Sequence, residues 1–126
     1  MEPGWTQTLT AMALHLLLDS ADPSAWEQWL PTGLFGGVTT NPTLLKRAGQ
    51  PCTLDNLRAL SERALAMGVQ ELHLQAWGAD LVGCGAALAA IAPDRIWVKL
   101  PITRAGQEPA RELQQQGCRI TFTACY

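Results

Sequence analysis

Segments with strand character alternate with segments of helical character along this chain, and this alternation restricts the possible folds more than any other feature. Five short runs are apolar or β-branched, as buried parallel strands usually are. They are Leu14–Asp19, Gly37–Asn41, Glu71–Gln75, Ile96–Leu100 and Ile120–Cys125. A repeated strand–helix order predicts an α/β protein with a parallel sheet and helical crossovers. The pattern alone leaves an open doubly wound sheet and a closed barrel as alternatives.

Capping and stop signals define the helices between these strands. Asp22 before Pro23 is a typical N-cap followed by proline in the first turn, and Thr53 and Asp80 can cap two further helices. Glycine follows several of the helical segments and ends them. The predicted helices are Ser24–Leu30, Pro42–Ala48, Leu54–Met67, Leu81–Ala92 and Pro109–Gln116. Residues 1–13 are interpreted as an N-terminal leader, so the predicted domain comprises residues 14–126.

Composition and charge argue against several classes of partner. The 126 residues are 48% hydrophobic, enough for one core, and their net charge of −2 includes no basic run of the kind that binds nucleic acid. The longest apolar segment, residues 81–92, is shorter than the ~20 residues of a membrane span. The first five residues lack the positive charge of a signal peptide. We therefore expect a cytoplasmic protein that contacts neither membrane nor nucleic acid.

The four cysteines are predicted to be free thiols. Cys52, Cys84, Cys118 and Cys125 show no C-x₂-C spacing, and no histidine lies at ligand spacing from them. Buried or half-buried thiols in a reducing compartment are the simpler explanation. No residue is therefore assigned to a metal site.

Polar residues lie at or near the carboxyl end of each predicted strand. They are Asp19, Asn41, Gln75, Lys99 and Thr123. In barrels and in open α/β sheets alike, sites are built at this end of the strands. Because side chains alternate along a strand, Lys99 and Asp19 are expected on the face opposite the one that packs on the helices. The residues predicted to face the helices include Leu16, Leu18, Val98, Leu100 and Phe122. His15 and His73 are expected deeper on the same face as Lys99, with satisfied nitrogens.

Lys99 is the strongest candidate for a catalytic residue. A lysine inside the apolar strand IWVKLP either extends to solvent or is desolvated, and a desolvated neutral amine is a nucleophile for carbonyl groups. Asp19 is either a proton-transfer group or partner of Lys99, or a capping or loop residue. Gln75 and Thr123 either hold a water molecule or a substrate hydroxyl, or are ordinary polar residues at strand ends.

Four motifs, taken in order, resemble the small transaldolases and fructose-6-phosphate aldolases. They are LLLDSA (Leu16–Ala21), GVTTNPT (Gly37–Thr43), VKLPIT (Val98–Thr103) and GCRITFTACY (Gly117–Tyr126). The resemblance covers roughly residues 14–126 and implies the (β/α)₈ TIM-barrel fold. Because such a barrel needs at least ~200 residues, we expect this chain to comprise about the first five β/α units, a truncated barrel.

The resemblance also implies roles for individual residues. The implied catalytic residues are Lys99, Asp19, Thr123 and Gln75, and the implied substrate-binding residues are Asn41, Thr39 and Thr40. Lys99 would form a Schiff base with a ketose phosphate, and Asp19 would transfer protons. The implied activity is the transfer or release of a dihydroxyacetone unit without a cofactor. A homo-oligomer is expected of the full-length protein.

Three alternatives to a transaldolase fit the sequence. Gln75 is neutral where transaldolases typically have a glutamate, which favours fructose-6-phosphate aldolase activity. A non-catalytic half-barrel that acts as a binding module would retain the same motifs, and a different lysine aldolase would fit Lys99 but not TTNP. We also expect that five strands alone would leave Lys99 hydrated, with its pKa near the usual value of ~10.4.

Overall fold

A computed structural model describes residues 15–123, which form a parallel five-stranded sheet covered by helices. The elements in chain order are β1 (Leu17–Asp19), α1 (Pro23–Trp29), a 3₁₀ turn (Leu30–Thr32), β2 (Gly37–Thr39), α2 (Pro42–Arg47), α3 (Leu54–Ala66), β3 (Glu71–Gln75), α4 (Leu81–Ala89), β4 (Ile96–Pro101), α5 (Arg104–Gln115) and β5 (Arg119–Thr123). The strands lie in the order β1-β2-β3-β4-β5. A doubly wound sheet reverses its strand order at a switch point, whereas a barrel keeps consecutive strands adjacent. The predicted α/β fold is confirmed, and the strand order is that of the (β/α)₈ barrel family.

The apolar face of the sheet, called the outer face here, forms the core together with the helices. Strand register places its fully buried residues side by side, and these are Val38, Leu72, Leu74, Ile96, Val98 and Leu100. Trp26, Leu57, Leu88 and Leu113 from the helices belong to the same core. Each large apolar side chain buried here contributes roughly 1.5–3 kcal/mol to folding. Phe122 aligns with Leu100 as predicted but is 46% exposed, because β5 is the outermost strand of the described sheet.

The predicted caps are confirmed by hydrogen bonds at the helix N-termini. The side chains of Asp22, Thr53 and Asp80 accept backbone N–H groups at the starts of α1, α3 and α4. The prediction for β2 was two residues too long, because Asn41 caps α2 by accepting the backbone N–H of Leu44 at 2.9 Å. The leader assigned to residues 1–13, and strand positions 14, 124 and 125, lie outside the described residues.

The start of α5 differs most from the prediction. The helix begins at Arg104, five residues before the predicted start at Pro109. Three buried residues, Gly106, Ala110 and Leu113, are spaced by four and three positions and form the face that packs on the sheet. Pro109 removes one backbone hydrogen bond from this helix, and tertiary packing outweighs that loss. The prediction was wrong because it placed Pro109 at the start of the helix, whereas the helix begins before the proline and contains it.

Gly106 is required by the close approach of α5 to the end of β4. A Cβ atom at this position would overlap the backbone carbonyl of Pro101. We expect Gly106→Ala to lower the free energy of unfolding by roughly 1–3 kcal/mol, the usual cost of overpacking. Chemical denaturation measures this loss, with Gln107→Ala on the exposed side of the helix as the control. Equal stability of the Gly106→Ala and parent proteins would contradict the prediction.

Two further observations concern the described part of the chain. No helix between residues 15 and 123 is long and apolar enough to cross a membrane. Cys52, Cys84 and Cys118 are free thiols, whereas Cys125 lies outside the described residues. Burial raises the pKa of the Cys52 and Cys84 thiols, which makes them less reactive at neutral pH.

Candidate active site

The sheet face opposite the helices, called the inner face here, carries several of the predicted polar residues and one further threonine, Thr121. Gln75, Lys99 and Thr121 are register partners on β3, β4 and β5. Asp19 and Thr39 are partners on β1 and β2. This alignment confirms that these strand-end side chains share one face.

Lys99 is buried on the inner face and its amine is held by β2. The residue is 7% exposed, and Nζ donates to the Thr39 hydroxyl at 2.9 Å and to the Thr40 backbone carbonyl at 3.0 Å. Because β3 lies between β2 and β4 in the sheet, the lysine stem extends across β3 to reach these partners. The alternative in which Lys99 extends to solvent is therefore wrong for this structure.

Burial governs the protonation of Lys99. Desolvation lowers its pKa below the usual 10.5, and the negative charge of Asp19 raises it by a smaller amount. Asp19 is exposed, and among the described residues no ion pair within 4 Å joins it to the lysine. The expectation that five strands would leave Lys99 hydrated is wrong, because the end of β2 already encloses its amine. The neutral amine attacks carbonyl groups, and a lowered pKa increases its fraction at a given pH.

The three residues of the TTN segment contribute in different ways. Thr39 contacts Lys99 through its side chain, whereas Thr40 does so through its backbone carbonyl. The Thr40 side chain is buried and its hydroxyl donates to the His73 carbonyl at 3.3 Å. Asn41 uses its amide oxygen to cap α2, which fixes the orientation of its side chain at the carboxyl end of the sheet.

Gln75 and Thr123, two of the predicted catalytic residues, lie at the carboxyl ends of β3 and β5. Both are half-buried on the inner face, Gln75 opposite Lys99 and Thr123 opposite Pro101. Within residues 15–123, neither side chain makes a hydrogen bond. Their catalytic roles, like those of Asp19 and Asn41, stay predictions.

Two inner-face residues beside Lys99 were not assigned correctly from the sequence. His73 donates to or accepts from the Thr121 hydroxyl through Nδ1 at 2.8 Å. Its Nε2 has no hydrogen-bond partner among the described residues, so the expectation of satisfied nitrogens was wrong for this atom. Thr121 received no role, although its position two residues before Thr123 places it on the same face.

We expect Thr39→Val to destabilise the protein. The isosteric valine removes the acceptor of a buried amine hydrogen bond, and an unsatisfied buried donor costs roughly 1–3 kcal/mol. Thr39→Ser retains the hydroxyl and should recover most of the loss, whereas Thr43→Val on the exposed surface of α2 should change little. Denaturation curves of the three variants test this, and parent-like stability of Thr39→Val would show that the hydrogen bond contributes nothing.

The fold and site together define a class of protein: a (β/α)-barrel-type sheet with a buried lysine near the carboxyl end of its fourth strand. The sequence model of the Transaldolase/Fructose-6-phosphate aldolase family matches residues 16–126. The chain belongs to this family.

Individual relatives agree with the family assignment. The chain is 32% identical over 114 residues to a probable transaldolase of Rhodospirillum centenum. This alignment covers 90% of the chain and 48% of the relative. The chain is 34% identical over 115 residues to a probable transaldolase of Caulobacter sp. strain K31, and 28% identical over 116 residues to a probable fructose-6-phosphate aldolase of Streptococcus pneumoniae. Both alignments cover 90% of this chain and 51% of the relative. The chain thus spans about half the length of the curated relatives it matches.

Proposed function

We propose that the protein is a transaldolase-type enzyme that moves a dihydroxyacetone unit from a ketose phosphate through a Schiff base on Lys99. The observation that supports this most directly is the buried amine of Lys99, held by Thr39 and Thr40, on the inner face of a barrel-type sheet. The names of its relatives agree with this activity. The proposal includes a cytoplasmic location and a homo-oligomeric full-length protein.

The proposed reaction begins at the neutral amine of Lys99. Nζ adds to the ketone carbon of the donor, the carbinolamine loses water, and the resulting imine accepts electrons. A base removes the proton of the C4 hydroxyl, the C3–C4 bond breaks, and its electron pair enters the imine to form a three-carbon enamine. The C4 fragment leaves as an aldehyde. The enamine then adds to an acceptor aldehyde, or is protonated and released, and hydrolysis of the imine restores Lys99.

The neighbouring residues support the separate steps of this reaction. Asp19, exposed near the carboxyl end of β1, is the proposed proton acceptor and donor because its charge already acts on Lys99. Thr123 and Gln75 are proposed to hold the water that forms and cleaves the imine. Thr39, Thr40 and Asn41 are proposed to bind the sugar, with Asn41 fixed for this purpose by its capping hydrogen bond.

Fructose-6-phosphate aldolase activity is the second candidate, and Gln75 is the observation that favours it. A neutral amide opposite Lys99 cannot remove a proton as a glutamate can, so proton transfer depends on Asp19. Coupled assays distinguish the two: free dihydroxyacetone released from fructose 6-phosphate without acceptor, against transfer to erythrose 4-phosphate. Transfer that exceeds release many-fold would exclude the aldolase assignment.

Borohydride trapping tests the proposed function. The protein from the complete reading frame that encodes these residues, and the 126-residue chain itself, are incubated with fructose 6-phosphate and reduced. The 126-residue chain contains two lysines, Lys46 and Lys99, so within it peptide mass spectrometry assigns the adduct to one or the other. We expect the adduct on Lys99. The absence of any adduct from both folded proteins would contradict the proposed function and would favour a non-catalytic binding module or a lysine aldolase for a different substrate.

A further inference from the structure

Two hydrogen bonds on the inner face each join strands that are not adjacent. Lys99 on β4 reaches Thr39 on β2, and His73 on β3 reaches Thr121 on β5, at 2.9 and 2.8 Å. Neighbouring strands lie about 4.8 Å apart, so each pair meets only above the strand between them. The two contacts therefore lie side by side, that of Lys99 over β3 and that of His73 over β4.

The register places the His73–Thr121 contact next to Lys99, on the side toward the amino ends of the strands, which is called below the lysine here. His73 aligns with Trp97 and Thr121 aligns with Lys99, so a line between the two side chains crosses β4 between Trp97 and Lys99. His73 is 6% exposed and its ring stacks on Trp97, with centroids 5.6 Å apart and planes 9° from parallel. The imidazole is thus fixed on one side by the indole and at Nδ1 by the hydroxyl.

His73 is also joined to the other end of Lys99 through the backbone. Its carbonyl accepts the Thr40 backbone N–H at 3.0 Å and the Thr40 hydroxyl at 3.3 Å. The carbonyl of Thr40 in turn accepts a hydrogen bond from Lys99 Nζ at 3.0 Å. His73 therefore connects Thr121, which its ring contacts, with Thr40, whose carbonyl holds the Lys99 amine.

We propose that His73 is a positioning residue that acts, together with Thr121, as a polar bridge beneath Lys99 and keeps its amine against β2 and out of water. This inference rests on the proposed function for its catalytic meaning, because a displaced amine would meet solvent and lose its nucleophilic form. A shift of about 1 Å in a reacting group can cost ~10²-fold in rate. The bridge is distinct from the groups that contact substrate in the proposed reaction.

Burial favours the neutral form of His73. It lowers the pKa of the imidazole below 6.5, the negative charge of Glu71 raises that pKa by a smaller amount, and Lys99 and His15 lower it by still smaller amounts. Glu71 Oε2 lies 4.0 Å from Nε2 and also contacts His15, while Arg119 on β5 lies over the Trp97 ring at 5.8 Å. A neutral imidazole places no second positive charge beside the lysine or beside the protonated imine that the lysine would form.

The test measures the position of Lys99 without substrate. Lys99 and Lys46 are reductively methylated with formaldehyde and cyanoborohydride over a range of pH, and peptide mass spectrometry gives the pH at which each is half-modified. The variants are His73→Leu, His73→Asn, Thr121→Val and the His73→Leu/Thr121→Val double variant. Asparagine offers a polar group near the position of Nδ1, and exposed Lys46 on α2 reports any change in the reagent itself.

We expect Thr121→Val and His73→Leu each to raise the half-modification pH of Lys99 by about one unit, a tenfold loss of neutral amine. The double variant should match the single variants, because both remove the same bridge. His73→Asn should stay close to the parent. A general loss of stability would lower the melting temperature of all these variants without this selective shift and rescue.

Several outcomes would overturn the inference. An unchanged Lys99 midpoint in folded Thr121→Val, or additive shifts in the double variant, would show that no bridge positions the lysine. If His73→Leu does not fold, the isosteric Thr121→Val and the polar His73→Asn still decide the question. A midpoint shift without any fructose 6-phosphate adduct would refute the proposed function alone, and an adduct without a midpoint shift would refute only the bridge.

Discussion

Lys99→Arg is expected to abolish the borohydride-stable adduct and reduce turnover to background. A guanidinium remains protonated at any accessible pH, so it has no lone pair with which to attack a ketone. The longer planar head group must also fit where Nζ now contacts Thr39 and Thr40. Peptide mass spectrometry after reduction and a coupled turnover assay measure the two losses separately.

Lys46→Arg is the matched control for this experiment. Lys46 is exposed on α2 and is the one other lysine of the sequence, so its replacement should leave both adduct formation and turnover intact. Lys99→Met removes the amine while it retains an unbranched stem, and circular dichroism shows whether either variant at 99 is folded. An adduct on Lys46 of the parent protein, or a persistent adduct in folded Lys99→Arg, would refute the assignment.

The rate of borohydride trapping at Lys99 should increase with pH. Because burial lowers the pKa of Lys99 below 10.5, the neutral amine accumulates at a lower pH than it would for a hydrated lysine. The rate of trapping should therefore rise with pH and level off before the ordinary lysine pKa is reached. A rate that continues to rise through 10.5 would indicate that solvent reaches the amine.

Local patterns were sufficient to predict most of the fold. The strand–helix alternation defined a parallel sheet, and Asp22, Thr53 and Asp80 marked helix starts because a capping side chain acts on residues two or three positions ahead. The choice between a barrel-type order and a doubly wound sheet depended on strand adjacency, which no local pattern encodes. The start of α5 was missed for a related reason: α5 can lie this close to the end of β4 only because residue 106 is a glycine, and that contact is not visible in the local sequence.

The sequence predicted which sheet face carries the candidate site and where its residues lie along the strands. It did not predict which side chains contact each other. The alternation of side chains along each strand predicted that Lys99 and Asp19 lie on one face, and the strand register confirms it. The contacts of Lys99 with Thr39, and of His73 with Thr121, each cross an intervening strand. Such contacts depend on the curvature of the sheet and on side-chain rotamers, which alternation along a single strand does not determine.

Asp19→Asn is expected to lower kcat by ~10²–10⁴-fold, the usual contribution of a general acid–base group, while the adduct on Lys99 still forms. Asparagine retains the size and hydrogen-bonding capacity of the aspartate but cannot accept the C4 hydroxyl proton. The negative charge of Asp19 raises the pKa of Lys99, so its removal lowers that pKa and does not reduce the fraction of neutral amine. The two readouts should therefore separate, because the nucleophile is retained and the proton transfer is lost.

Asp22→Asn is the matched control, three residues further along and also exposed. Asn is as good an N-cap as Asp, so α1 should keep its cap and kcat should stay at the parent value. A rise in KM alone for Asp19→Asn would mean that Asp19 only orients the substrate. Loss of the Lys99 adduct together with turnover would place Asp19 in imine formation itself, since the lower lysine pKa cannot account for a missing adduct.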